Sequence, residues 1–349
     1  MKRFFRTVVF LASVVCCCGC GRKGEFDGTG SRQYADIAMG TVIRQSIYAP
    51  ERTADTFIKT AQVYLEHLER DFLSWRLDTS EVYRINASAG SEEGCALSEE
   101  MAELLYSCMK LHRDSAGAFD VTLGAAVRLW DIDGWAAGRE GEVFSPPSDG
   151  AVEEALTFCG GEQINLVRGA ESRLFMPEGM RLDLGAVGKG FALAGIGELL
   201  KEQEEIGGAV ISLGGSILTY GQKPDGSPWR VSIVDPFDTA DSVGILTLRG
   251  QWCISTSGDY ERYAEAGGVR YHHILDPATG YPADSGVRGV TVLSGDGLVS
   301  DALSTACFIL GPEQGLALAA EYGAEVLFVM ADGEIVMSQG MESYIEVGR

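Results

Sequence analysis

From Ala209 onward the chain is cut by glycine and by Asp-Pro or Asp-Gly pairs into short apolar runs, at 209–213, 229–234, 244–249, 252–256 and 289–293. Two further runs, 325–330 and 334–337, face each other across Asp332-Gly333. Runs of this length bounded by turn residues read as strands, and Asp-Gly between two of them is a hairpin signal. The first part of the chain obeys another period. After one strand at 37–49, segment 52–75 places Phe57, Ala61, Tyr64, Leu65, Leu68 and Phe72 at helical spacing. A second helix fits 98–115, with Glu99 and Glu100 in its first turn and Gly117 as its stop. Segment 131–149 has no period and reads as a surface excursion; a short helix follows at 150–158. Long helices followed by strand-rich sequence predict an α+β fold, with mixed β-sheets packed against helices in one compact unit.

A chain of 349 residues with 46% hydrophobic content buries a full core. Its net charge of −22 excludes a nucleic-acid surface, which needs clustered Lys and Arg, and an anionic ligand requires a local reversal of charge. The four histidines, His67, His112, His272 and His273, exclude a three-histidine zinc site. Lys2, Arg3 and Arg6 precede an apolar stretch at 8–15 that is too short to span a bilayer. Cys16, Cys17, Cys18 and Cys20 follow, and Gly19 stands before Cys20, so the start resembles a bacterial lipoprotein signal with Cys20 as the lipidated residue. The division this predicts is a signal peptide at 1–19, a flexible tether at 20–33 and one folded domain at 34–349. The remaining cysteines show no framework or metal spacing and are expected to be buried thiols.

Two stretches carry chemistry. Asp301, Ser304 and Thr305 stand at i, i+3 and i+4, so on a helix their oxygens share one face and suit Mg²⁺ or Ca²⁺. Equally, Ser300 or Asp301 is placed to cap an apolar helix that ends at Gly311-Pro312. Segment 180–190 reads as a strand, a glycine-rich turn and the start of a helix to about 205; with Lys189 it is either an anion site or a tight turn. It is not a Walker A loop, because Gly190 follows Lys189 and Asp183 stands where the first glycine belongs. Adjacent His272 and His273 precede the turn Asp276-Pro277; taken alone, a histidine here reads as structural.

In order, the stations are Met39-Gly40-Thr41, Ala118-Phe119-Asp120, Asp183-Leu184-Gly185-Ala186-Val187-Gly188-Lys189-Gly190, Ser212-Leu213-Gly214-Gly215, Ser255-Thr256-Ser257-Gly258-Asp259-Tyr260, His273 to Gly280, and Asp301 to Ala306. This series resembles the ApbE family of FAD:protein FMN transferases. The resemblance implies an ApbE-like fold and Mg²⁺-dependent transfer of FMN from FAD to a threonine hydroxyl of an acceptor protein, with release of AMP. The implied acceptors are membrane redox subunits of the Rnf or Na⁺-pumping NADH:quinone reductase kind, on the extracytoplasmic side of a bacterial membrane. It assigns FAD contacts to Met39, Trp75, Ala118, Phe119, Asp120, Asp183, Lys189 and His273. It assigns metal contacts to Ala186, Asp301, Ser304 and Thr305, and the chemistry to His273, Asp301 and Lys189. A Mg²⁺-dependent FAD pyrophosphatase would use the same site with water in place of threonine; a non-catalytic FAD-binding lipoprotein is the third reading, and the presence of both Asp301 and His273 speaks against it, since binding alone needs no general base.

Overall fold

The computed structural model describes residues 31–139 and 142–348. Eight antiparallel strands form the central sheet, in the spatial order Ser31–Ala38, Thr41–Tyr48, Gly208–Leu213, Ser216–Gly221, Trp252–Gly258, Val287–Ser294, Glu325–Met330 and Ile335–Met337. Successive side chains of a strand point to opposite faces, and here each face meets a different core. Ala209, Ile211, Val290, Val292, Val326 and Phe328 join the core formed with the helices Glu51–His67, Gly188–Lys201 and Gly297–Glu321. Val210, Ile217, Ile254, Leu293, Leu327 and Val329 meet a three-stranded sheet of Trp229–Val234, Ser242–Leu248 and Ile345–Val347. Packing on both faces buries Gly208–Leu213 along its whole length, and Ser212 is its one polar side chain. Each fully buried Leu, Ile or Phe in these layers contributes about 1.5–3 kcal/mol.

The α+β expectation holds, and several local expectations change. The strand read at 37–49 is a hairpin: Ser31–Ala38 pairs with Thr41–Tyr48 through Met39-Gly40, whose φ values are 51° and 70°. Two positive φ angles make a primed turn whose twist suits a hairpin. Met39 tolerates its angle because its N–H donates to Glu69 Oε2 at 2.9 Å. Ser31, Arg32 and Gln33, expected in the tether, already pair with Tyr48, Ile47 and Ser46. Residues 1–30, with the signal and Cys20, lie outside the described residues.

The helix read at 52–75 is α-helical only over Glu51–His67 and continues as a π-helical turn, Leu68–Leu73. An unanticipated helix, Glu81–Ala87, follows. The excursion at 131–149 is more than surface: Ile132 and Phe144 are buried, Ile132–Ala136 is helical, and Phe144 packs on Tyr271, which also stacks on Trp130, whose indole donates to Gly280 O at 2.8 Å. Aromatic packing therefore ties this segment to the turn after His273. The segment before Asp183 is not a regular strand but a single bridge from Arg181 to Leu123, and the helix after it ends at Lys201. Cys95, Cys108, Cys159, Cys253 and Cys307 are buried and unpaired, as expected.

Candidate active site

Asp301 lies one turn inside helix Gly297–Glu321. The N-cap is Asp296, which accepts from Leu298 N and Val299 N, so the capping reading of Ser300 and Asp301 falls. Ser300 instead donates to Gly297 O and meets the Ser255 hydroxyl. Gly311, at φ 73°, breaks the helix and Pro312 starts its second part. The near-buried Asp301 carboxylate accepts the Gly190 N–H at 2.8 Å and the Ser216 hydroxyl at 3.1 Å, with Lys189 Nζ at 3.7 Å. It thus sits at the positive end of helix Gly188–Lys201. The anion at that helix start is the protein's own carboxylate, so the glycine-rich turn serves to bring two helices together. A Cβ on Gly190 would stand 2.5 Å from Asp301 Cβ and overlap the Gly297 carbonyl.

His273 follows the strand Val269–His272. Its N–H donates to Arg262 O at 3.1 Å, and Nδ1 lies 3.2 Å from the same oxygen. A carbonyl only accepts, so Nδ1 carries the proton and Nε2 keeps its lone pair. Burial, reinforced by the Arg262 charge, holds the imidazole well below its ordinary value of 6.5, and it is neutral at pH 7. His272 is turned away: Nε2 lies 3.0 Å from Ala283 O, the ring packs on Phe308, and burial pushes its pKa down to about 4.

Trp75, Ala118, Phe119, Asp120, Asp183, Ala186, Lys189, His273, Asp301 and Thr305 all line one cleft of ≈ 370 Å³. Local contacts explain several placements. Thr79 donates to Arg70 O and Ser80 to Phe72 O, and buried Glu81 accepts from Ser98 N and Oγ, which clasps the loop that presents Trp75. The Asp120 carboxylate is saturated by Thr122 N, Thr122 Oγ1 and Gly161 N, so it braces the Ala118–Asp120 wall. Asp183 accepts from Gly185 N at 2.7 Å, and burial raises its pKa.

Two predicted site residues are not in the lining. Met39 is at the hairpin tip, its Cε 3.7 Å from where a Gly188 Cβ would be. Ser304 lies behind the cleft wall; its hydroxyl donates to Asp301 O at 2.8 Å and lies 2.8 Å from Ser257 Oγ. The helical register brought Ser304 to the right face, but the bond back to its own helix turns the hydroxyl aside. The sequence reading missed Arg76, Arg128, Asp133, Glu261 and Arg262. Glu261 and Arg262 follow a strand end with no periodicity to mark them, although they directly continue the quoted Ser255–Tyr260 stretch. Arg262 pairs with Asp133 at 2.7 Å. Burial raises the Glu261 pKa, with Lys189 and Arg262 opposing.

The lining carries six carboxylates, at Asp120, Asp131, Asp133, Asp183, Glu261 and Asp301, against the four bases Arg76, Arg128, Lys189 and Arg262. The expected charge reversal is therefore not supplied by side chains alone. Among the described residues no three His, Cys, Asp or Glu side chains form a metal cluster. Asp301 with Thr305 and Ala186 beside it instead offers one carboxylate and neutral oxygens, a donor set that fits Mg²⁺ completing its shell with phosphate oxygens and water.

Sheet, helix crossing and cleft define an α+β enzyme site in which a neutral imidazole, an anchored carboxylate and an ammonium share one pocket. Residues 39–328 match the ApbE family model. The chain is 33% identical to the FAD:protein FMN transferase of Treponema pallidum, over 95% of this chain and 93% of that one. Against the enzyme of the same name from Vibrio cholerae it is 31% identical, over 93% of each. Among solved structures it resembles the ApbE protein of Thermotoga maritima, with TM-score 0.81 and 30% identity over 90% of this chain and 99% of that one. The flavin transferase ApbE of Vibrio cholerae gives TM-score 0.77 at 28% identity, with 90% and 99% covered. The chain belongs to the ApbE family, and its fold and its enzyme class, that of the transferases, are the family's.

Proposed function

We propose that this protein is a Mg²⁺-dependent FAD:protein FMN transferase that uses a threonine hydroxyl as acceptor and releases AMP. The observation that carries the reading is the convergence, in one cleft, of His273 with its Nε2 lone pair free and Asp301 anchored beside Lys189. In this scheme Trp75 offers a face for a ring of FAD, buried Phe119 backs the wall at Ala118–Asp120, and His273 Nε2 takes the proton of the attacking hydroxyl. The hydroxyl oxygen bonds to the phosphorus on the riboflavin side, the pyrophosphate P–O bond breaks, and AMP leaves with the bridging oxygen. Lys189 compensates charge that develops on the phosphate oxygens. Asp301, Thr305 and the Ala186 carbonyl would hold Mg²⁺, which when bound polarises the pyrophosphate.

The same proposal places the chain on the outer side of a bacterial membrane, held by lipid on Cys20, with Rnf-type or Na⁺-pumping NADH:quinone reductase subunits as acceptors. Its support is the basic, apolar and cysteine-bearing start of the sequence. Among the described residues no helix is long and apolar enough to cross a membrane.

The experiment is intact-mass spectrometry of the protein with FAD, Mg²⁺ and a threonine-bearing acceptor domain, beside EDTA and no-acceptor controls. An acceptor that gains one FMN only with Mg²⁺ supports the transferase. Free FMN and AMP with an unmodified acceptor would make the protein a pyrophosphatase, and intact bound FAD a binding protein.

A further inference from the structure

Trp75 also borders a second groove. It encloses ≈ 700 Å³, shares Trp75, Arg76 and Arg128 with the cleft, and adds Arg181 and Tyr83 over a floor that includes Ala87, Ala89 and Gly179. No carboxylate lines it, in a chain of net charge −22. Among the described residues Arg76, Arg128 and Arg181 have no acidic side chain within 4.0 Å. By contrast Arg139, Arg168, Arg230, Arg262 and Arg288 each hold one. Arg76 and Arg128 lie over the Trp75 ring at 4.3 and 5.4 Å, which keeps both guanidinium groups at the groove edge. The Asn86 amide bonds both the N–H and the carbonyl of Leu182 and so fixes the backbone that carries Arg181.

We propose that this groove docks an acidic segment of the protein that receives FMN, an inference that rests on the transferase reading. Three unpaired guanidinium groups present planar donor forks that match carboxylates. Arg, Trp and a Tyr83 that is 40% exposed are the residue types that anchor protein interfaces. Trp75, Arg76 and Arg128 line both the groove and the cleft, so a segment held in the groove lies against the rim of the site that contains His273. The net charge of −22 opposes such a partner over the chain as a whole, whereas the three arginines gathered in this groove attract it, which selects orientation as well as position.

The test separates docking from turnover. The full chain is titrated calorimetrically with a polyglutamate peptide, a polyglutamine peptide of equal length, and inorganic phosphate. Polyglutamate is expected to bind with a salt-dependent affinity that Arg181→Gln weakens by about tenfold, the size of one charged hydrogen-bonded contact. FAD affinity is expected to stay unchanged, because Arg181 is outside the cleft. In the transfer assay Arg181→Gln raises KM for the acceptor and leaves KM for FAD alone. Equal binding of polyglutamine, unaltered binding to Arg181→Gln, or phosphate binding as tight as polyglutamate overturns the proposal, the last by making the groove a small-anion site. Peptide binding needs no turnover, so a protein that binds polyglutamate but transfers nothing refutes the transferase reading instead.

Discussion

Gly190→Ala is the smallest change that tests how the site is assembled. Helices Gly188–Lys201 and Gly297–Glu321 touch backbone to backbone at Gly190 and Gly297, and a methyl on Gly190 would lie 2.5 Å from Asp301 Cβ and 2.8 Å from Gly297 C. Cβ atoms do not approach heavy atoms closer than 3.0 Å, so the helices must part by several tenths of an ångström at least. Both contacts are to backbone or Cβ, and neither can rotate away. Overpacking of this kind costs about 1–3 kcal/mol. The shift also lengthens the 2.8 Å bond from Gly190 N–H to the Asp301 carboxylate, and a charged hydrogen bond of this type contributes about 1.5–3 kcal/mol. The expected total is roughly 3–5 kcal/mol, measured by urea unfolding, together with loss of FMN transfer. Gly150→Ala is the control: its Cβ meets nothing within 4 Å, and alanine in place of helical glycine is neutral or stabilising by up to about 1 kcal/mol. A Gly190→Ala protein as stable and as active as the control would refute the idea that this crossing places Asp301.

The neutral state of His273 predicts that kcat/KM stays level as pH falls through the ordinary histidine value of 6.5 and drops only well below it; a midpoint at 6.5 or above contradicts the buried, Arg262-facing imidazole. Asp301→Asn keeps the volume but removes the charge facing Lys189 and sets an amide against Gly190 N–H and the Ser216 hydroxyl, so activity should fall on the order of a hundredfold or more with unchanged far-ultraviolet dichroism. His272, held at about 4 when folded against 6.5 when unfolded, makes the unfolded chain the better proton binder in that window. The His272 contribution is therefore complete above pH 6.5 and falls by up to about 3 kcal/mol toward pH 4; His272→Gln should remove this share in urea titrations at the two pH values and leave the loss due to His273, which is also held low.

What the sequence made legible was local. Asp301 and Thr305 fall on one face because a helix repeats every few residues, and the Asp332-Gly333 hairpin announces itself through its turn chemistry. The helix start is a harder case: Ser300 and Asp301 satisfy a capping pattern, yet the cap is Asp296, and the Asp301 carboxylate is taken up by Gly190 N–H and the Ser216 hydroxyl, far apart in sequence. Met39 hides a primed turn because methionine seldom takes a positive φ, and the stabilising Glu69 carboxylate is thirty residues away. Ser216, Arg181 and Arg262 reach their places through strand order and side-chain geometry, which no short-range pattern encodes.

The balance of charge around Asp301 yields a last expectation. A pyrophosphate entering the cleft meets more carboxylates than bases, and one of the bases, Arg262, is already paired with Asp133. The positive end of helix Gly188–Lys201 is already partly offset, since Asp301 accepts its Gly190 N–H. FAD binding and divalent-cation binding must then help each other, because each offsets the charge that opposes the other. Linkage makes the coupling reciprocal, with a typical strength of 1–3 kcal/mol, or about 5- to 150-fold in affinity. FAD titrations by flavin fluorescence with and without Mg²⁺, repeated as Mg²⁺ titrations with and without FAD, should give the same factor in both directions. An FAD affinity indifferent to Mg²⁺ would mean that the arginines at the Trp75 edge, rather than a cation beside Asp301, compensate the pyrophosphate.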